Sequence, residues 1–180
     1  MIFPLFRRGA RPDTISTLYG MIVAQARSSS FYRDYAVADT VNGRFELIVL
    51  HLALVFDRLA QEAALQRLAQ GIFDRFCQDM DDNLREMGIA DLKVPKEMRR
   101  IGDAFYGRTR AYRAALAAAG DGPLADSLAR NIYGGAAAAA AAPRLAAYMR
   151  VAVRELAAQD AADLAGGRVR FPDPAAIPPV

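Results

Sequence analysis

The sequence predicts an all-α fold, a single-domain bundle of about six helices. Three observations lead there. Apolar residues recur at three- and four-residue spacings through most of the chain, and helix-bounding residues such as Gly88, Pro95 and Pro123 divide those stretches. No segment alternates apolar and polar in the manner of a half-buried strand, and no internal repeat is present. A chain of 180 residues that is 53% apolar and 24% charged has the composition of one folded domain with a substantial core. The helical domain is expected over residues 12–165, between a flexible N-terminal segment, 1–11, and an extended Pro-rich tail, 166–180.

The first helix is expected from Thr14 to Arg27, with Asp13 as N-cap and Ile15, Leu18, Tyr19, Ile22, Val23 and Ala26 on its apolar face. "SSSFYRDYAVADTVNG" breaks the period and reads as a loop with one helical turn around Phe31–Tyr35. From Gly43 to Ala60 the chain is apolar on nearly all sides, which places that helix in the middle of the bundle. A third long helix, Ala63 to Met87, carries the seam Leu65, Leu68, Ile72, Phe76, Met80, Leu84 and Met87, and Gly88 is placed to stop it. Pro95 suits a first helical position, so a fourth helix runs to Ala118 with Met98, Ile101, Phe105, Tyr112 and Leu116 inward. Gly120 and Gly122 mark a turn, and Pro123 opens a short helix to Tyr133. The alanine run 136–142 lies between two glycines and Pro143, and reads as loop or ragged helix. A last helix is expected from Pro143 to Asp163, using Leu145, Tyr148, Met149, Val153 and Leu156.

Several function classes are disfavoured at once. The net charge of +3 is too mild to imply a nucleic-acid binder by itself. One cysteine, Cys77, excludes an internal disulfide, and one histidine, His51, leaves few soft metal ligands. "LIVLHLALVF" at 47–56 is about half the length needed to span a bilayer. "MIFPLFRRGARP" is too short for a secretory signal; it reads as a frayed end, with weak membrane-surface contact through Ile2, Phe3, Leu5 and Phe6 as the alternative. There is no Walker or dinucleotide glycine pattern and no nucleophile motif to pair with His51, which reads as a core histidine bonded to a polar neighbour. Cys77, at the edge of the seam, reads as a packed thiol.

Two charged features remain. In "DMDDNLREMGIADLKVPKEM" (79–98), Asp81 and Arg85 lie opposite the seam as an i,i+4 pair worth about 0.3–0.5 kcal/mol. Asp79, Asn83 and Glu86 fall on the flank of the seam or within it, where a polar group left unpaired costs roughly 1–3 kcal/mol. They are either internal braces or groups awaiting a partner. Asp81, Asp82 and Glu86 also faintly resemble the aspartate-rich magnesium motif of helical prenyl-transferring enzymes, though no second acidic motif faces them and no Glu-x-x-His pairs exist for a di-iron site. No metal, cofactor or catalytic residue is assigned. On the fourth helix, Lys96, Arg99, Arg100, Arg110 and Arg113 share the face opposite the apolar one, and Lys93 to Arg113 holds seven basic residues against two acidic. That face is either solvated or docks onto RNA phosphate, anionic headgroups or an acidic protein.

"FYRDYAVADTVNGRFELIVLHLALV" (31–55), "DMDDNLREMGIADLKVPKEM" (79–98) and "GDAFYGR" (102–108) occur together in this order, and the chain resembles the ubiquinol–cytochrome c chaperone family over about residues 31 to 116. The matching positions are Asp39-Thr40, Gly43-Arg44-Phe45-Glu46, Leu50-His51, Asp79, Asp81, Arg85-Glu86, Gly88, Lys96, Phe105-Tyr106-Gly107 and Arg108. The resemblance implies a non-enzymatic role in assembly of the cytochrome bc1 complex, holding newly made cytochrome b or another subunit. In mitochondrial relatives it also implies a small helical partner protein and a position near the ribosomal tunnel exit. The absence of a transit sequence and the Ala/Arg-rich composition suit a bacterial protein of the cytoplasm, peripheral at the inner face of the membrane. On this reading Asp79, Asp81, Arg85 and Glu86, with the 88–96 loop, form one wall of a binding surface. Lys96, Tyr106 and Arg108 then form a basic, aromatic edge. The alternatives are a Mg²⁺-dependent helical enzyme for isoprenoid or quinone-type substrates, and a ribosome- or RNA-contacting module.

Overall fold

A computed structural model describes residues 12–135 and 137–179. The expected 1–11 segment and Ala136 lie outside the described residues. Six long helices form the body: α1 (Pro12–Ala26), α3 (Val41–Ala60), α4 (Gln66–Glu86), α5 (Val94–Ala117), α6 (Gly122–Asn131) and α7 (Ala142–Ala157). Two five-residue helices, α2 (Ser29–Arg33) and α8 (Ala161–Ala165), join them, and no strand occurs among the described residues. The alanine run forms a 3-10 turn, Ala137–Ala141, leading directly into α7.

The all-round apolar helix is central. α3 packs against α1, α4, α5 and α7, and buries His51 and its apolar neighbours from Leu47 to Val55. Thr40 caps it by accepting from the Gly43 amide at 3.1 Å. A glycine is required at 43 because a Cβ there would lie 2.0 Å from the Ala38 carbonyl oxygen, where the preceding loop crosses the first turn. Around α3 the aromatic rings of Phe45, Phe56, Phe73, Phe76 and Phe105 meet at centroid separations between 5.2 and 6.5 Å. Such pairs add about 0.5–1.5 kcal/mol each beyond their buried area.

Two expected helix limits shift. α1 starts at Pro12, so Asp13 sits in the first turn rather than at the cap, still at the end that favours negative charge. The helix expected to reach Asp163 stops at Ala157. Arg58 of α3, itself buried, donates to the Leu156 carbonyl at 3.2 Å, which also accepts from the Gln159 N–H, and to the Gln159 carbonyl at 2.9 Å, and so anchors the helix end. Asp160 then turns extended and α8 begins. Residues 168–173 form no helix or strand, with Asp173 in the extended region, a 3-10 turn covers Pro174–Ala176, and Val169, Pro172, Pro174 and Ile177 are buried against the helices.

Candidate functional site

The acidic and basic features lie on one hairpin, α4–α5. α4 ends in a Schellman turn: Ile89 N–H donates to the Leu84 carbonyl (3.0 Å), Gly88 N–H donates to the Arg85 carbonyl (2.9 Å), and Gly88 has φ +80°. This is the stop the glycine predicts. Arg85 lies across the turn, paired with Asp81 at 2.7 Å and with Asp91 at 2.6 Å, so it ties the loop to the helix that precedes it.

The polar residues near the seam separate into two groups. Asp79 accepts a 2.7 Å hydrogen bond from the Tyr19 hydroxyl, joining α4 to α1, and the Asn83 amide donates back to the Asp79 carbonyl at 2.6 Å. Burial, with Asp79 beside it, pushes the Tyr19 hydroxyl well above its ordinary value. These two side chains are braces. Glu86 and Asp82, in contrast, are exposed and make no ion pair among the described residues.

On α5, Lys96, Arg99 and Arg110 are exposed with no acidic partner among the described residues, whereas Arg100 pairs with Glu97 at 3.0 Å and Arg113 with Asp57 at 2.9 Å. Arg108 points inward. Its guanidinium donates to both carboxylate oxygens of Glu46, a residue only 1% exposed on α3. Burial pushes the Glu46 carboxyl up and Arg108 draws it back down; Arg108 is held above its ordinary value mainly by that hydrogen bond. Tyr106, next to it in sequence, is 62% exposed, with its ring 5.7 Å from Phe73 and 5.4 Å from Phe105. Met87 and Leu92 (96% exposed) add apolar surface at the hairpin turn.

The hairpin therefore exposes Arg85, Glu86, Lys96 and Tyr106, leaves Asp81 half-buried beneath Arg85, and turns Asp79 and Arg108 toward neighbouring helices. Sequence reasoning missed the Glu46–Arg108 link; its only trace was that both residues fall among the quoted motifs.

Elsewhere, His51 is fully buried, with Nδ1 2.7 Å from the Leu47 carbonyl and Nε2 2.8 Å from the Tyr148 hydroxyl. Burial lowers its pKa to about 4. The Cys77 thiol is pushed up by burial and by Asp74, the opposite of an activated thiolate. A small cavity between α3, α5 and α7, lined by Ala53, Leu54, Asp57, Tyr112 and Met149 among others, lies away from the acidic stretch. Among the described residues no group of three or more His, Cys, Asp or Glu side chains is arranged to hold a metal ion, and no helix is long and apolar enough to cross a membrane.

A family model described as ubiquinol-cytochrome C chaperone matches residues 33–171. The chain is similar to a solved structure, the crystal structure of the Cbp3 homolog from Brucella abortus, at 39% identity over 99% of this chain and 100% of that one, with a TM-score of 0.87. Comparison with curated proteins gave no match. The motifs, the all-α architecture and the near full-length similarity agree, and the chain belongs to the ubiquinol–cytochrome c chaperone family.

Proposed function

We propose that this protein is an assembly chaperone for the cytochrome bc1 complex and that it holds newly made cytochrome b, peripherally, at the cytoplasmic face of the membrane. Family membership carries this reading. The α4–α5 hairpin supports it from the residues upward. A holder of apolar polypeptide needs an accessible apolar anchor within a polar rim, and the side chains at the anchor must be fixed so that contact costs little ordering. Tyr106 is exposed yet backed by Phe73 and Phe105, Arg99 and Arg110 lie seven residues before and four residues after it on α5, and Arg85, Glu86 and Lys96 carry charge of both signs toward the hairpin turn. Asp79 and Arg108 act indirectly, by fixing α4 on α1 and α5 on α3.

The test is deletion of the gene and restoration with the wild type or with Tyr106→Ala combined with Lys96→Glu. The expected result is loss of cytochrome b and of ubiquinol–cytochrome c reductase activity in the deletion strain, restored by the wild type and poorly by the double variant at equal protein level. Unchanged cytochrome b in the deletion strain would refute the proposal.

A further inference from the structure

The stretch 168–177 lies along α1, α2 and α7, and the bundle's hydrogen bonds to it go to its main chain. Gln159 accepts from the Arg170 N–H at 2.8 Å and donates to the Arg170 carbonyl at 2.8 Å, the two-pronged pattern a neighbouring strand would make. Gln25 donates to the Pro172 carbonyl at 3.0 Å, the Tyr35 hydroxyl to the Pro174 carbonyl at 2.7 Å, and Arg144 to the Ile177 carbonyl at 2.8 Å. The carbonyls of 170, 172 and 174 follow the two-residue period of an extended chain. Between them Val169, Pro172, Pro174 and Ile177 are buried, and the Phe171 ring lies edge-on to His51 at 5.4 Å. The polar side chains of the stretch do not reach the groove's holding groups: Arg168 and Arg170 pair with Asp163, and Asp173 caps the Ala175 N–H.

The holding groups are positioned without the stretch. Gln25 also donates to the Tyr148 hydroxyl, which meets His51, and Arg144 lies 4.6 Å over the Tyr35 ring while donating to the Asp34 carbonyl. Main-chain contacts plus apolar side chains, made by preset groups, are how a groove takes a foreign extended peptide.

We infer that residues 168–177 are a built-in stand-in occupying a groove for an extended apolar segment of another polypeptide. The inference rests on the reading that this chain binds client polypeptide, and it adds a second site, apart from the α4–α5 hairpin. The helices α1 to α8 all precede the stretch in the chain, so its displacement breaks no connection between them. The groove reads four carbonyls and one N–H, so an occupant tolerates proline everywhere except opposite Gln159.

The test uses full-length chain and a fluorescent peptide of residues 168–180. Phe171→Ala with Ile177→Ala loosens the stand-in and leaves the groove intact. The peptide is expected to bind this variant at least tenfold more tightly than wild type by anisotropy, and N-methylation of its Arg170 amide is expected to abolish binding. Equal binding to both proteins, or none to a variant that still melts cooperatively, overturns the inference. If the variant does not fold, hydrogen exchange on the wild type decides. An Arg170 amide exchanging at least tenfold faster than the amides of the α3 core supports a detachable stretch; equal rates overturn it. Cytochrome b capture is scored on the same proteins: peptide binding without capture removes the client reading alone, and capture without peptide binding removes the groove alone.

Discussion

Replacing Arg108 with alanine tests whether that residue belongs to the scaffold or to the surface. Glu46 is 1% exposed and both its oxygens are held by Arg108, whose own side chain is 23% exposed. Removal of the guanidinium leaves a buried carboxylate without its partner, a change that costs about 3–5 kcal/mol for a fully enclosed pair. Partial exposure of Arg108 admits water, so about 2–3 kcal/mol is expected here. For a chain of this size each kcal/mol shifts the melting temperature by about 2–4 °C, which makes the expected drop about 4–12 °C. Glu46→Gln should cost less, about 1–2 kcal/mol, because the remaining Arg108 reaches solvent and the amide still accepts one bond. Arg108→Lys should fall between, since an ammonium cannot make the paired contact. Urea unfolding by circular dichroism measures all three. A change under about 0.5 kcal/mol for Arg108→Ala, together with loss of client capture, would refute the scaffold assignment and return Arg108 to the binding edge.

Three further outcomes follow from the interior. Gly43→Ala places a methyl 2.0 Å from the Ala38 oxygen and is expected to destabilise by more than about 1 kcal/mol, read as an earlier urea midpoint. His51 titrates near 6.5 when unfolded and at about 4 when folded, so the unfolded chain binds the extra proton between those values. Stability from this residue is therefore complete above pH 6.5 and is lost as pH falls toward 4, by about 3 kcal/mol. His51→Gln should show a correspondingly flatter stability profile over that window. The Tyr112 hydroxyl is buried with no hydrogen-bond partner among the described residues, so Tyr112→Phe is expected to be neutral or to stabilise by up to about 1 kcal/mol in the same assay.

Local chemistry made most of the fold legible. The apolar run located α3 and the apolar period located α4 to within a few residues, and Gly88 stops α4 as its position predicts because a glycine in the left-handed region needs no tertiary help. The early end of α7 was not legible: it depends on Arg58, about a hundred residues away, reaching the Leu156 and Gln159 carbonyls. The hairpin surface shows the same division. The Asp81–Arg85 pair follows from i,i+4 spacing, whereas the inward turn of Arg108 depends on Glu46, 62 residues earlier. The side chains that hold the C-terminal stretch, Gln25, Tyr35, Arg144 and Gln159, are isolated polar residues with no shared spacing, so nothing local marks them as one site.

The most direct measurement of the proposed role places a photo-crosslinking amino acid at position 106, with a second protein carrying it at exposed position 154 on α7 as a comparison, and irradiates native membranes. Capture of cytochrome b from position 106, reduced by Lys96→Glu, is the predicted result. Position 106 trapping no bc1 subunit, while the protein is folded and cytochrome b is being synthesised, would contradict it.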